Sequence, residues 1–133
     1  IEQFDSLESM LKISDVVAIH VHVTDETLGM VNKNCFNNMK KDVLLVNTAR
    51  GDIVNEKELV EFLEDNDKAK VATDVKEDEV RNRLKSPLLK YALKSDQVII
   101  TPHIGGMTSE AQEIAYGHAA RRLKNYFSND KEV

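Results

Sequence analysis

Arg50, His103, Asp74 and Glu79 hold most of the chemical potential of this 133-residue sequence. The Arg50 guanidinium is a rigid fork suited to gripping a carboxylate with two bonds, and His103 can give or take a proton near neutral pH. Together they fit a small organic acid. Glu79, in the charged stretch 76–85, KEDEVRNRLK, could reach His103 and favour its imidazolium form. Asp74 ends an apolar run, where a carboxylate without a partner would be costly to bury. Glycines at 51, 105 and 106 would let a flat or extended ligand approach the backbone. Taken singly, each has a plainer reading: a solvated arginine, a turn histidine, surface carboxylates. His20 and His22 stand two apart without further ligands nearby, which argues against a zinc site.

What makes the set notable is where each member falls. Four apolar runs, Val16 to Val23, Val43 to Val46, Ala69 to Val75 and Val98 to Ile100, are the strand candidates. The first ends in His20, Val21 and His22, the second in Asn47, Thr48, Ala49, Arg50 and Gly51, the third in Asp74, the fourth in Thr101, Pro102 and His103. The middle two are nearly continuous in apolar residues, the pattern of a parallel sheet covered on both faces.

Helical spacing fills the intervals. Ser6 precedes a short helix with Leu7, Met10 and Leu11; Lys33 to Met39 forms another, turning Phe36 and Met39 inward beside a core Cys35. Asn55 and Glu58 have capping-box spacing ahead of Leu59, Val60, Phe62 and Leu63, and Ser86-Pro87 opens a turn of helix through Leu93. Ser109 and Gln112 have capping-box spacing and open the last helix, in which Ala111, Ile114, Ala115, His118, Ala119, Arg122, Leu123 and Tyr126 follow a 3.6-residue repeat, with His118 on the inner face. Alternating strands and helices predict βαβ units around a parallel sheet, whose carboxyl edge would collect every polar group named above. The stretch 76–85 reads as a long surface loop.

Composition narrows the function. Eighteen basic against 23 acidic residues give a net charge of −5 with the cations scattered, a poor surface for nucleic acid. One cysteine, no apolar run of membrane-spanning length and no signal-peptide pattern at the N-terminus predict a cytoplasmic protein without membrane partners.

The strings SDVVAIHV (14–21), VLLVNTARGDIVNEKEL (43–59), ATDV (72–75) and VIITPHIGGMTSEAQE (98–113) resemble the NAD-binding domain of the D-isomer-specific 2-hydroxyacid dehydrogenases. This family includes phosphoglycerate, glycerate and D-lactate dehydrogenases. The likeness runs from about Ser6 to Tyr126. It implies a Rossmann-like layered α/β fold, here the second half of a doubly wound NAD-binding domain. The catalytic residues it implies are Arg50 on the substrate carboxylate and carbonyl, His103 as acid/base and Glu79 paired with that histidine. For NAD it implies Asp74 at the carboxamide, Thr48, Ala49 and Gly105 nearby, and His20, Val21 and His22 along the adenosine.

The sequence departs from the family pattern in places. His22 replaces the usual Pro, Lys76 the usual aromatic after Asp74-Val75, and Val80 the Pro after the glutamate, which leaves Glu77 as the competing position. The glycine-rich fingerprint of the family is not among these residues, nor is the acidic residue that reads the ribose, so both NAD and NADP are compatible. On this reading, residues 1–133 are a partial NAD-binding domain, residues 108–127 a helix leading toward an absent substrate domain, and the full-length protein a homodimer. The expected function is hydride transfer between NAD(H) and a small D-2-hydroxy acid or 2-keto acid. The alternative is a non-catalytic NAD-sensing or corepressor-like protein of the same fold.

Overall fold

A computed structural model describes residues 2–82 and 84–128. They fall into two units, residues 1–102 and 103–133. In the first, α1 (Leu7–Ile13), β1 (Val16–Ile19), α2 (Lys33–Asn38), β2 (Leu44–Asn47), α3 (Glu56–Asp65), β3 (Lys70–Thr73), α4 (Glu79–Asn82), α5 (Pro87–Ala92) and β4 (Val98–Ile100) follow in order. The four strands form one parallel sheet in the order β1-β2-β3-β4, with Val17, Leu45, Val71 and Val98 in one register row. The expected βα alternation is therefore present.

Helix starts match the local chemistry. Ser6, Asn32, Asn55 and Ser86 each turn a side-chain oxygen onto a backbone N–H of the first turn of α1, α2, α3 and α5. Val17, Ile19, Leu45, Val71 and Val98 share one buried cluster with Leu11, Cys35, Phe36, Met39, Leu59, Leu63, Leu88 and Tyr91. Each large side chain fully withdrawn from water there contributes about 1.5–3 kcal/mol. Phe36 also stacks on Phe62, with ring centroids 5.5 Å apart.

Three expectations need correction here. The apolar strands predicted cover on both faces, but burial alternates along β1, β2 and β3, and Val16 and Ile99 on the opposite face are exposed. Among the described residues, the buried side chains of these helices join the cluster on the first face. The first strand stops at Ile19, paired with Asn47, rather than running to Val23; β2 ends at Asn47, so residues 20–23 have no strand to pair with. The stretch 76–85 is not simply a surface loop: Lys76 is buried and α4 lies inside it, while Arg83 is outside the described residues.

The second unit contains α6 (Ser109–Phe127), capped by Thr108, whose hydroxyl accepts from the Ala111 N–H. The helical period was read correctly, with the cap one residue earlier than Ser109. The packed position expected of His118 is not found: His118 is exposed, and no residue of α6 is buried. Periodicity specifies a stripe, but whether anything covers that stripe is a tertiary matter.

Candidate active site at the carboxyl edge

Within the first unit, the end of β2 is shaped by a side chain that sequence reasoning passed over. Asn47, 3% exposed, donates from Nδ2 to the Arg50 carbonyl at 2.9 Å and accepts from the Ala49 N–H at 3.0 Å. One amide thus closes the Thr48-Ala49-Arg50 turn from below. Thr48 and Arg50 are exposed on it, and Arg50 Nη1 donates to the Ala49 carbonyl at 2.6 Å. An exposed guanidinium held by its own turn is available to an incoming anion.

Asp74, 8% exposed, sits beside this turn. Its N–H donates to the Asn47 carbonyl at 3.0 Å, and its Oδ1 accepts from the Thr101 hydroxyl at the end of β4. Thr73 braces the same junction: its Oγ1 lies 3.0 Å from the Asn47 carbonyl and accepts from the Val75 N–H at 3.2 Å. The cost of burying the Asp74 carboxylate is therefore offset by hydrogen bonding, and the ends of β2, β3 and β4 are tied side by side.

Gly51 was expected to admit a ligand. It admits the protein's own backbone instead. A Cβ built on Gly51 would lie 1.9 Å from the Lys76 carbonyl carbon and 2.0 Å from its oxygen. The segment carrying Arg50 and the segment carrying Glu79 are therefore in contact through main chain. Asp52 Oδ1 accepts from the Asp78 N–H at 3.2 Å, adding a second tie.

The two competing glutamates face different ways. Glu77 turns toward α3: its N–H donates to Glu56 Oε1 at 2.8 Å, and its Oε2 accepts from the Glu56 N–H at 3.4 Å. Partial desolvation raises the Glu77 pKa above its ordinary 4.5; the hydrogen bond from Glu56 opposes this, and the negative charges of Glu56, Asp52 and Asp78 add to it. Glu79 opens α4, and its Oε1 accepts from Lys76 Nζ at 3.1 Å, the two side chains being 13% and 6% exposed.

His20, Val21 and His22 leave β1 as exposed chain. In the second unit, His103 and Gly105 are exposed, and His103 holds φ at 59°, a left-handed conformation uncommon for a side-chain-bearing residue and frequent at functional positions. Gly106 has open space where a Cβ would stand.

Residues 1–105 match the family model described as the D-isomer specific 2-hydroxyacid dehydrogenase, NAD binding domain. The chain belongs to this family. It is 43% identical over 105 residues to D-3-phosphoglycerate dehydrogenase of Archaeoglobus fulgidus, covering 79% of this chain and 19% of that protein. With a glyoxylate reductase of Thermofilum pendens it shares 39% identity over 121 residues, 91% of this chain and 34% of the relative. The structure of an Aquifex aeolicus D-lactate dehydrogenase complexed with NAD and lactic acid superposes with a TM-score of 0.75 at 32% identity, covering 94% of this chain and 40% of that one. This 2-hydroxyacid dehydrogenase family chain thus spans about a third or less of the length of the curated relatives first matched.

The residues present fit one end of a dinucleotide better than the other. Asp74 with Thr101 at the sheet edge offers acceptors to an amide. A pyrophosphate seeks a free helix N-terminus. Here α1, α2, α3, α5 and α6 are all capped by their own side chains.

Proposed function

We propose that this chain is the nicotinamide-side portion of an NAD-dependent oxidoreductase acting on a small D-2-hydroxy acid or the matching 2-keto acid. The observation that carries the reading is the tied carboxyl edge: Arg50, exposed on a turn locked by Asn47, stands beside a buried, hydrogen-bonded Asp74 in a chain of this family. Bound NADH would supply the hydride. Arg50 binds the substrate carboxylate and polarises the keto oxygen, His103 delivers the proton to that oxygen, and Glu79 supports the imidazolium. Asp74 receives the nicotinamide amide, Thr48, Ala49 and Gly105 contribute to NAD binding, and His20, Val21 and His22 line the adenosine. Glu77 is engaged with α3 through both its N–H and its carboxylate, which favours Glu79 for the catalytic role.

The same reading includes a homodimeric, cytoplasmic full-length protein. Among the described residues no helix is long and apolar enough to cross a membrane. The deciding assay is oxidation of NADH by the full-length protein over a panel of 2-keto acids. His103→Asn is expected to lower kcat by about a thousandfold. Arg50→Gln is expected to lower kcat/KM by about a hundredfold, chiefly by loss of carboxylate binding. NADH binding without turnover of any 2-keto acid would replace this reading by that of a non-catalytic NAD sensor. The 133 residues alone, with these helix N-termini capped from within, are expected to bind NAD weakly or not at all, and tight binding by calorimetry would overturn that.

A further inference from the structure

We propose that Glu56 is a positioning residue for Glu79: a single buried carboxylate ties both ends of the segment carrying Glu79 to the start of α3. The inference rests on Glu79 acting as the partner of the catalytic histidine.

Glu56 is 2% exposed. Its Oε1 accepts from the Glu77 N–H at 2.8 Å, while its Oε2 accepts from the Ser86 hydroxyl at 2.5 Å and the Leu88 N–H at 3.3 Å. These partners lie 21, 30 and 32 residues further along the chain, on either side of α4. Glu79 is thus held between two pinned points. On the near side it is only two residues from Glu77, and there the chain is also fixed by Asp52 at Asp78 and by main-chain contact of Gly51 with Lys76. Lys76, buried as a result, directs its ammonium onto the Glu79 carboxylate.

The choice of a carboxylate is informative. Among the described residues no cation pairs with Glu56, and its bonds come from neutral donors. Burying a charge to meet a simple packing need is costly compared with an apolar or amide side chain. What a carboxylate alone supplies is two acceptor oxygens facing three donors, with the positive end of α3 favouring its charge. A glutamine offers one acceptor oxygen and sets its NH2 against a donor. The arrangement therefore secures the spacing of two distant segments, a requirement that catalysis imposes and burial alone does not.

The test uses Glu56→Gln and Ser86→Ala, read by amide hydrogen exchange on this chain and by steady-state kinetics in the full-length protein. For Glu56→Gln, exchange at the Glu77 and Leu88 amides should accelerate about tenfold or more while that at Leu45 and Val71 is unchanged. The kcat should fall about tenfold with the KM for NADH within about twofold, as for a hydrogen bond to charge that is lost only where the reacting groups are set. Ser86→Ala, removing one donor, should move both in the same direction by less. Combining Glu56→Gln with Glu79→Gln should cost less than the product of the single effects. Unchanged exchange, acceleration spread equally over the strands, or fully multiplicative losses would each overturn the proposal. If Glu79→Gln alone leaves kcat intact, the fault lies in the assignment of Glu79 itself, a result distinguishable because exchange is read without turnover.

Discussion

Two connections leave the same edge of the sheet and begin in opposite ways. The one after β1 is exposed from His20 to Glu26, and over this first part its hydrogen bonds are local: Thr27 Oγ1 donates to the His22 carbonyl at 2.6 Å and accepts from the Thr24 N–H at 2.8 Å, whereas further on the Gly29 and Val31 N–H groups donate to the Asp52 and Ile53 carbonyls. The one after β3 buries Asp74, Val75 and Lys76 and is bonded to Asp52 and Glu56, more than twenty residues away. A stretch stitched only to itself, such as residues 20–27, can open without disturbing the core; one bolted to another element from its first residues cannot. The contrast matches the proposed division of labour, in which the rigid connection sets acid/base geometry and the compliant one forms a wall along the adenosine.

The comparison can be broken most directly at Gly51. Gly51→Ala puts a methyl group 1.9 Å from the Lys76 carbonyl carbon. Backbone rather than a flexible side chain would have to give way, so a loss of about 3 kcal/mol is expected in urea unfolding. A loss below about 0.5 kcal/mol would mean that the two segments are not locked together.

A gentler probe is the pH dependence of Glu77→Gln. Because the folded state holds the Glu77 proton more tightly than the unfolded chain, the stability this group contributes is full below pH 4.5 and is lost as pH rises through its raised folded value. The glutamine variant should therefore match wild type in acid and gain on it as pH climbs past that window. Wild type gaining on the variant instead would show that the hydrogen bond from Glu56 outweighs the burial and the neighbouring Glu56, Asp52 and Asp78 charges.

The smallest effect belongs to the other connection. Thr27→Val removes the staple between His22 and Thr24, and within an exposed loop this should cost no more than about 1 kcal/mol, with exchange rising only over residues 22–27. Acceleration reaching β1 would remove the distinction between the two loops.

Much of this was legible in the order of residues. Apolar runs located the four strands of the described residues because the face of each turned to the core needs them, and the cap residues Ser6, Asn55 and Ser86 marked helix starts because an oxygen must meet the free N–H groups there. The partner for a buried Asp74 was demanded by electrostatics, and Thr101 supplies it. The overshoot of β1 was unavoidable: His20-Val21-His22-Val23 alternates like a strand, and only the end of its neighbour at Asn47 stops it. Glu56 was hidden in another way. In sequence it is one acid among several at a helix start; its three donors come from residues that no local pattern connects to it.

The sequence by itself determined where the strands and the capped helices lie, though neither the end of β1 nor α4, and which residue types reach the sheet edge, because hydrophobic period and capping act over a few neighbours. Only the tertiary structure decided that Gly51 faces the backbone of Lys76 rather than a ligand, that Glu77 turns to α3 while Glu79 meets Lys76, and that the stripe on α6 is exposed. Those outcomes depend on the packing of segments remote in the chain, where burial and the pairing of hydrogen bonds are settled.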